Sequence, residues 1–170
     1  MMLLYLFAAL MAAAVWAVDL NPDPRADDAH ARGLAKATHL AVWHRAASGW
    51  YAGSSVSMAT TGEIGMADVA AHLPGGSGSA LTFTATGLHS AADGAGTLVS
   101  WADTADPSER RHASAAAATA PDASVASGAF EAATSTIVNP QVDVAGRVAV
   151  PPSLAAGIPD GAPVMLSRFE

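Results

Sequence analysis

An α+β chain is expected: an N-terminal transmembrane helix, then one long helix packed on a mostly antiparallel sheet. Three observations carry that expectation. Residues 1–18, MMLLYLFAALMAAAVWAV, contain no charge. From Arg25 to about Tyr51, small and apolar residues recur at spacings of three and four, the period of a helix with one buried face. Beyond Gly53 the composition turns to Gly, Ser and Thr, with short apolar stretches between turn signals, and a helix laid against such strands is an α+β domain.

The opening segment divides the chain into an anchor (1–18), a Pro-rich junction (19–24) and a head (25–170). Eighteen residues at 1.5 Å each reach about 27 Å, close to the roughly 30 Å hydrocarbon core of a bilayer. Leu3, Leu4, Leu6, Phe7, Leu10, Val15 and Val18 are its lipid-facing candidates, and Tyr5 and Trp16 sit near its two ends, where interfacial aromatics are favourable. A secretory signal would begin with a basic stretch, whereas the first basic residue is Arg25, so a retained anchor is expected even though Val15-Trp16-Ala17 has the small residues of a cleavage site. Arg25, Arg32 and Lys36 follow the span, which by the positive-inside rule points to a cytoplasmic head. Asp19, Asp23, Asp27 and Asp28 lie among them, and the expectation is an exported, periplasmic head.

Asn21-Pro22-Asp23-Pro24 ends the first helix, because each proline lacks an N–H and restricts the residue before it. Asp23 as N-cap and Pro24 at the first helical position then open the second. Ala26, Ala29, Gly33, Ala37, Leu40, Trp43, Ala47 and Trp50 mark the helical period, and Arg25, Asp28 and Arg32 line another face as opposite charges. Gly33 and Gly49 weaken the helix but allow a strand to approach closely. Leu40, Trp43, Trp50 and, later, Trp101 are the candidate core or interface anchors, Trp being enriched at binding hot spots.

Leu73 to Ser79 is a loop. Leu81 to Thr86 alternates apolar and hydroxyl residues, Thr97 to Ala102 forms a second strand, and Asp93-Gly94 is a turn; the two strands are expected to pair as a hairpin with a wide connection. Asp106-Pro107-Ser108-Glu109 combines an N-cap Asp, a first-turn Pro and a Glu placed to reach back to the cap, so a helix should run from Pro107 to about Ala118. Thr134–Val138, Arg147–Val150 and Pro163–Ser167 are further strands, the last preceded by the turn Ile158-Pro159-Asp160-Gly161.

Composition narrows the function. The formal charge of −7 and the single lysine, Lys36, leave no basic footprint for nucleic acid. Absence of cysteine removes disulfides and thiolate chemistry. The six histidines form no HxxxH pair, and His39 and His44 point to different sides of a helix, so each is expected to be structural and no metal or cofactor site is assigned. Gly75-Gly76-Ser77-Gly78-Ser79 ends in Ser where a nucleophile elbow ends in Gly, and Gly94-Ala95-Gly96 lacks the third glycine of a phosphate loop. Asp103 and Asp106 have nothing beside them to split their pKa values into an acid–base pair. No catalytic residue is expected.

The order of parts carries a resemblance. An apolar span leads to the helix bearing Leu34-Ala35-Lys36-Ala37-Thr38-His39-Leu40-Ala41-Val42-Trp43-His44-Arg45, and Trp50-Tyr51 closes it. The chain ends with Gly146-Arg147-Val148-Ala149-Val150-Pro151 and Gly157-Ile158-Pro159-Asp160-Gly161-Ala162-Pro163-Val164. This resembles the small PilM proteins of type IVB thin (conjugative) pilus systems, distinct from the actin-like proteins that share that name. The resemblance implies a single-pass protein of the bacterial inner membrane whose periplasmic domain assists pilus assembly through protein–protein contacts. Its expected partners are membrane lipid, through the N-terminal helix, and other pilus-assembly proteins. A pilin is the nearest rival, but a basic leader with Gly and then Glu at the fifth mature position is missing, and the Asn-Pro-Asp-Pro break interrupts the continuous helix of a filament subunit. An envelope hydrolase is the third reading.

On cell fractionation, the full-length protein is expected to stay with membranes, resist carbonate extraction and keep Met1 by intact-mass measurement. A soluble product starting near Val18 would contradict the anchor.

Overall fold

The fold is that of a computed structural model, which describes residues 24–53, 55–74, 87–119, 126–139 and 146–169. The predicted span and its anchor residues (Leu3 to Val18), the Asp23 cap, most of the Leu73–Ser79 loop and the strand expected at 81–86 lie outside these residues. Among the described residues, no helix is long and apolar enough to cross a membrane.

Helix α1 (Pro24–Ala52) is the backbone of the domain, 29 residues or about 43 Å long. One turn of helix, α2 (Ser55–Met58), leads to strand β1 (Thr61–Glu63), then α3 (Met66–Val69) and a 3-10 turn at Ala70–His72. The hairpin β2 (Leu88–Asp93) and β3 (Thr97–Ala102) precedes α4 (Pro107–Ala117). Strands β4 (Ala126–Glu131), β5 (Thr136–Val138) and β6 (Val148–Ala149), the short helix α5 (Pro152–Ala155) and β7 (Pro163–Arg168) complete the chain. The seven strands form one sheet in the order β1-β2-β3-β7-β4-β5-β6, and every pairing is antiparallel. The last long strand therefore sits at its centre, and strands of three and two residues form its edges.

Two layers of side chains cover the sheet. On one face α1 and α4 bury Leu40, Trp43, Ala46, Ala47 and Tyr51 over Leu98 and Met165. On the other face Val150, Leu154 and Ile158, from the segment containing α5, close over Val99, Trp101, Phe130, Ile137 and Val164. Both faces of the central strands are thus buried, and β3 is buried throughout.

Helix α1 rests on α4 along a row of small residues. Ala29, Gly33 and Ala37 follow one another every four positions; Gly33 lies against His112 and Ala113, and Ala37 packs in one cluster with Ala117. A Cβ on Gly33 would lie 2.6 Å from His112 Cβ and 2.9 Å from the Ala113 nitrogen and the Glu109 oxygen. Gly33 therefore admits a helix; the expectation of a strand at this position is corrected. Arg32 meets the first turn of α4, 3.2 Å from Glu109 and 3.5 Å from Asp106, and Leu40 packs by its last turn at Ala117, so the two helices run the same way. Asp106 caps α4 by accepting from the Ser108 N–H at 2.8 Å. Glu109, expected to close a capping box, turns instead to the Arg32 guanidinium, a stronger donor than a backbone amide.

The hairpin differs from expectation. Strand β3 pairs with β2 on one side and β7 on the other, so its hairpin partner is the segment immediately before the turn; residues 81–86 lie outside the described residues. The cause is the tightness of the turn: the Asp93 carboxylate accepts from the Ala95 and Thr97 N–H groups, both at 2.8 Å, and reverses the chain within three residues. Only the segment immediately before such a turn reaches β3. Burial pushes the Asp93 carboxyl upward, but those hydrogen bonds outweigh it and hold it below the ordinary carboxylate range.

The turn before β7 is a second node. Ala162 N–H donates to the Pro159 carbonyl at 3.1 Å, with Gly161 at φ +73° in the third position, where a side chain is disfavoured. The Asp160 carbonyl accepts from Arg110 at 2.9 Å, its carboxylate from the Ala132 N–H at 2.9 Å, and the Gly161 carbonyl from the Ser114 hydroxyl at 3.1 Å. Helix α4, strand β4 and the entrance to β7 are joined there.

Gly33→Leu is expected to force α1 from α4 and lower unfolding stability by about 2–3 kcal/mol in urea titrations, a cost of overpacking that the better helix propensity of leucine offsets only in part.

Candidate functional site

The interior holds one polar constellation at the seat of α1. Trp43 and His44 are successive residues whose side chains reach the sheet; Ser90, Ser100 and Ser167 stand on three adjacent strands, β2, β3 and β7, facing them. The alternation of strand residues puts Ser90 directly across from Ser100, and Ser167 two residues beyond Met165, the partner of Ser100. The Trp43 indole N–H donates to Ser90 Oγ at 2.8 Å; Ser90 and Ser100 hydroxyls are 2.7 Å apart; His44 Nδ1 lies 2.9 Å from Ser100 Oγ and Nε2 lies 2.8 Å from Ser167 Oγ.

Indole nitrogen only donates, so Ser90 Oγ accepts from Trp43, while the hydroxyls and the imidazole of the run can each donate or accept, their directions being set together by the His44 tautomer.

Chemically, a serine hydroxyl 2.9 Å from an imidazole is the pair that begins nucleophilic catalysis. Here that pair is sealed: His44 is 3% exposed and Ser100 is 0%. The second imidazole nitrogen meets the Ser167 hydroxyl where a triad would place a carboxylate. A shallow, open pocket of about 370 Å³ lies across the sheet, lined by Phe130, Ala132, Ser135, Pro152, Ala155, Ala156 and Ile158, and contains no titratable side chain. What the arrangement does is hold α1 at a fixed height and rotation over three strands.

A second constellation lies on the opposite face, near the β1 edge. The His89 ring stacks on Trp101 at 5.2 Å and an interplanar angle of 16°, with Nε2 2.9 Å from Asp103 and Nδ1 3.5 Å from Glu63. It ties β1 and the end of β3 to β2. Asp103 thus faces His89 while Asp106 faces Ser108 and Arg32, so these two carboxylates serve different neighbours. Among the described residues, no group of three or more histidine, aspartate or glutamate side chains is placed to share a metal ion.

Of the four anchors named from sequence, Leu40 and Trp43 are buried beneath α1 and Trp101 is buried on the other face. Trp50 is half-buried against the cluster around Trp43 and Tyr51. Ser90, Ser100 and Ser167 were not singled out by sequence reasoning, and His44 was weighed only as a metal ligand and expected to be structural. Their only signal was position: His44 lies four residues after Leu40, and Ser100 falls on the Leu98 side of its strand.

Ser100→Ala is expected to cost about 1–3 kcal/mol in denaturant unfolding, because Ser90 and His44 each lose a buried partner. Ser48 is the contrast: its hydroxyl is buried without a hydrogen-bond partner, and Ser48→Ala is expected to be neutral or to stabilise by about 1 kcal/mol. Compared with known proteins, the chain matches no family model, no curated protein and no solved structure.

Proposed function

We propose that this chain is a bitopic accessory protein of a type IVB pilus or conjugation system, held in the bacterial inner membrane by residues 1–18. Residues 25–170 form its periplasmic docking domain. The tether confines the head to the membrane surface and raises its effective concentration for envelope partners, so that contact alone performs the work.

One observation carries the reading. The two segments most specific to the resemblance, Gly146–Pro151 and Gly157–Val164, are occupied with architecture. Arg147 pairs with Glu131 at 2.6 Å, Val148 and Ala149 form the β6 edge, and the Asp160-Gly161 turn joins α4, β4 and β7. Motifs placed this way preserve a shape. A hydrolase would instead spend its most specific residues around a reacting atom. The long α1, whose outward side carries the exposed Leu34, leaves a helical surface for a partner.

Deletion of the gene from a host carrying the pilus cluster is expected to abolish thin pili and mating transfer. The full chain should restore both, and residues 25–170 exported without the anchor should not. Normal piliation in the deletion strain, or turnover of a small molecule by the head, would sink the proposal.

A further inference from the structure

Where α1 and α4 first touch, His30 of α1 faces His112 of α4. Their Nδ1 atoms are 3.3 Å apart, with ring centroids at 4.9 Å and ring planes at 90°. With neutral imidazoles this is a hydrogen bond, one Nδ1–H donating to the other ring's Nδ1. The same spacing also suits a metal ion held between the two rings. Two Zn–N bonds of about 2.05 Å whose nitrogens are 3.3 Å apart subtend about 107°, close to the tetrahedral angle of roughly 109°. A cis pair on a square-planar or octahedral ion subtends about 90°, which would draw the nitrogens to roughly 2.9 Å. The spacing thus fits two bonds of a tetrahedral zinc ion.

We infer that His30 and His112 form a two-histidine zinc site that clamps α1 to α4, with the remaining positions taken by water. Binding moves one proton: the ring that held Nδ1–H shifts it to Nε2, so both Nδ1 lone pairs face the metal and no net proton is released. Both residues are accessible, His30 exposed and His112 half-buried, so an ion reaches them without opening the fold. Their helices are already fixed around the site by the Gly33–His112 contact and the Arg32–Glu109 pair. The ligands are therefore positioned before the metal arrives. Two protein ligands are fewer than the three of a catalytic zinc or the four of a structural one, so the site binds weakly. Its effect falls on the N-terminal half of α1, where α4 is the neighbour that holds it.

The test is calorimetric titration of zinc chloride into the full-length protein in detergent, with thermal unfolding alongside. One zinc per chain and a rise in Tm of a few degrees (about what a ligand at many times its Kd gives a domain of this size) are expected. His30→Ala and His112→Ala should each weaken binding at least tenfold and remove the thermal shift, while His39→Ala leaves both unchanged. Unfolding midpoints without zinc establish that the variants fold, since both substitutions retain the Cβ atoms that pack between the helices. Cobalt in place of zinc should give the intense visible bands of four-coordinate geometry. Absence of zinc binding overturns the site, as does binding that survives either substitution, or a weak six-coordinate cobalt spectrum.

Discussion

Helix α1 is seated on the sheet by Leu40, Trp43 and Tyr51, the largest of the fully buried side chains, and the small residues between them let it lie close. The hydrogen-bonded run from Trp43 through Ser90, Ser100 and His44 to Ser167 fixes its height and rotation there. Each bond is short, directional and buried, and displacement by one residue would strand several polar groups away from water. The position of α1 in turn sets that of α4 through Gly33, and α4 holds the Asp160-Gly161 turn through Arg110 and Ser114. The order of constraint therefore runs from the centre of the sheet outward.

The same logic explains why some elements were legible in the sequence. Helix α1 announced itself through its small and apolar period, α4 through Asp106-Pro107, β3 through Thr97, Val99 and Trp101, and β7 through the apolar run Val164-Met165-Leu166 after a turn. Strands β2 and β4 were not seen, because Leu88–Asp93 and Ala126–Glu131 consist mainly of Ala, Ser and Gly, whose propensities are indifferent. Burial on both faces removes the alternation that marks a half-buried strand, and no window of residues records it. Strand β1, Thr61–Glu63, is exposed throughout and has no apolar face to read.

The polar constellations were hidden for another reason. Ser90, Ser100 and Ser167 look like ordinary strand hydroxyls until the strand order brings them under one histidine, and His30 and His112 belong to helices 82 positions apart. Spacing rules for ligands or triads search within one element, and these sets form only across elements. Leu40, Trp43 and Trp101 were visible as large apolar residues, but which face of the sheet each occupies depends on topology.

The narrow ends of the described sheet bear on how such a domain tolerates crowding. A long open rim of unpaired backbone would let two copies zip together. Here the rims are Thr61–Glu63 and Val148–Ala149, too brief to nucleate a shared ladder, and charged Glu63 and Arg147 stand beside them. Self-association by strand exchange is thereby discouraged at both rims.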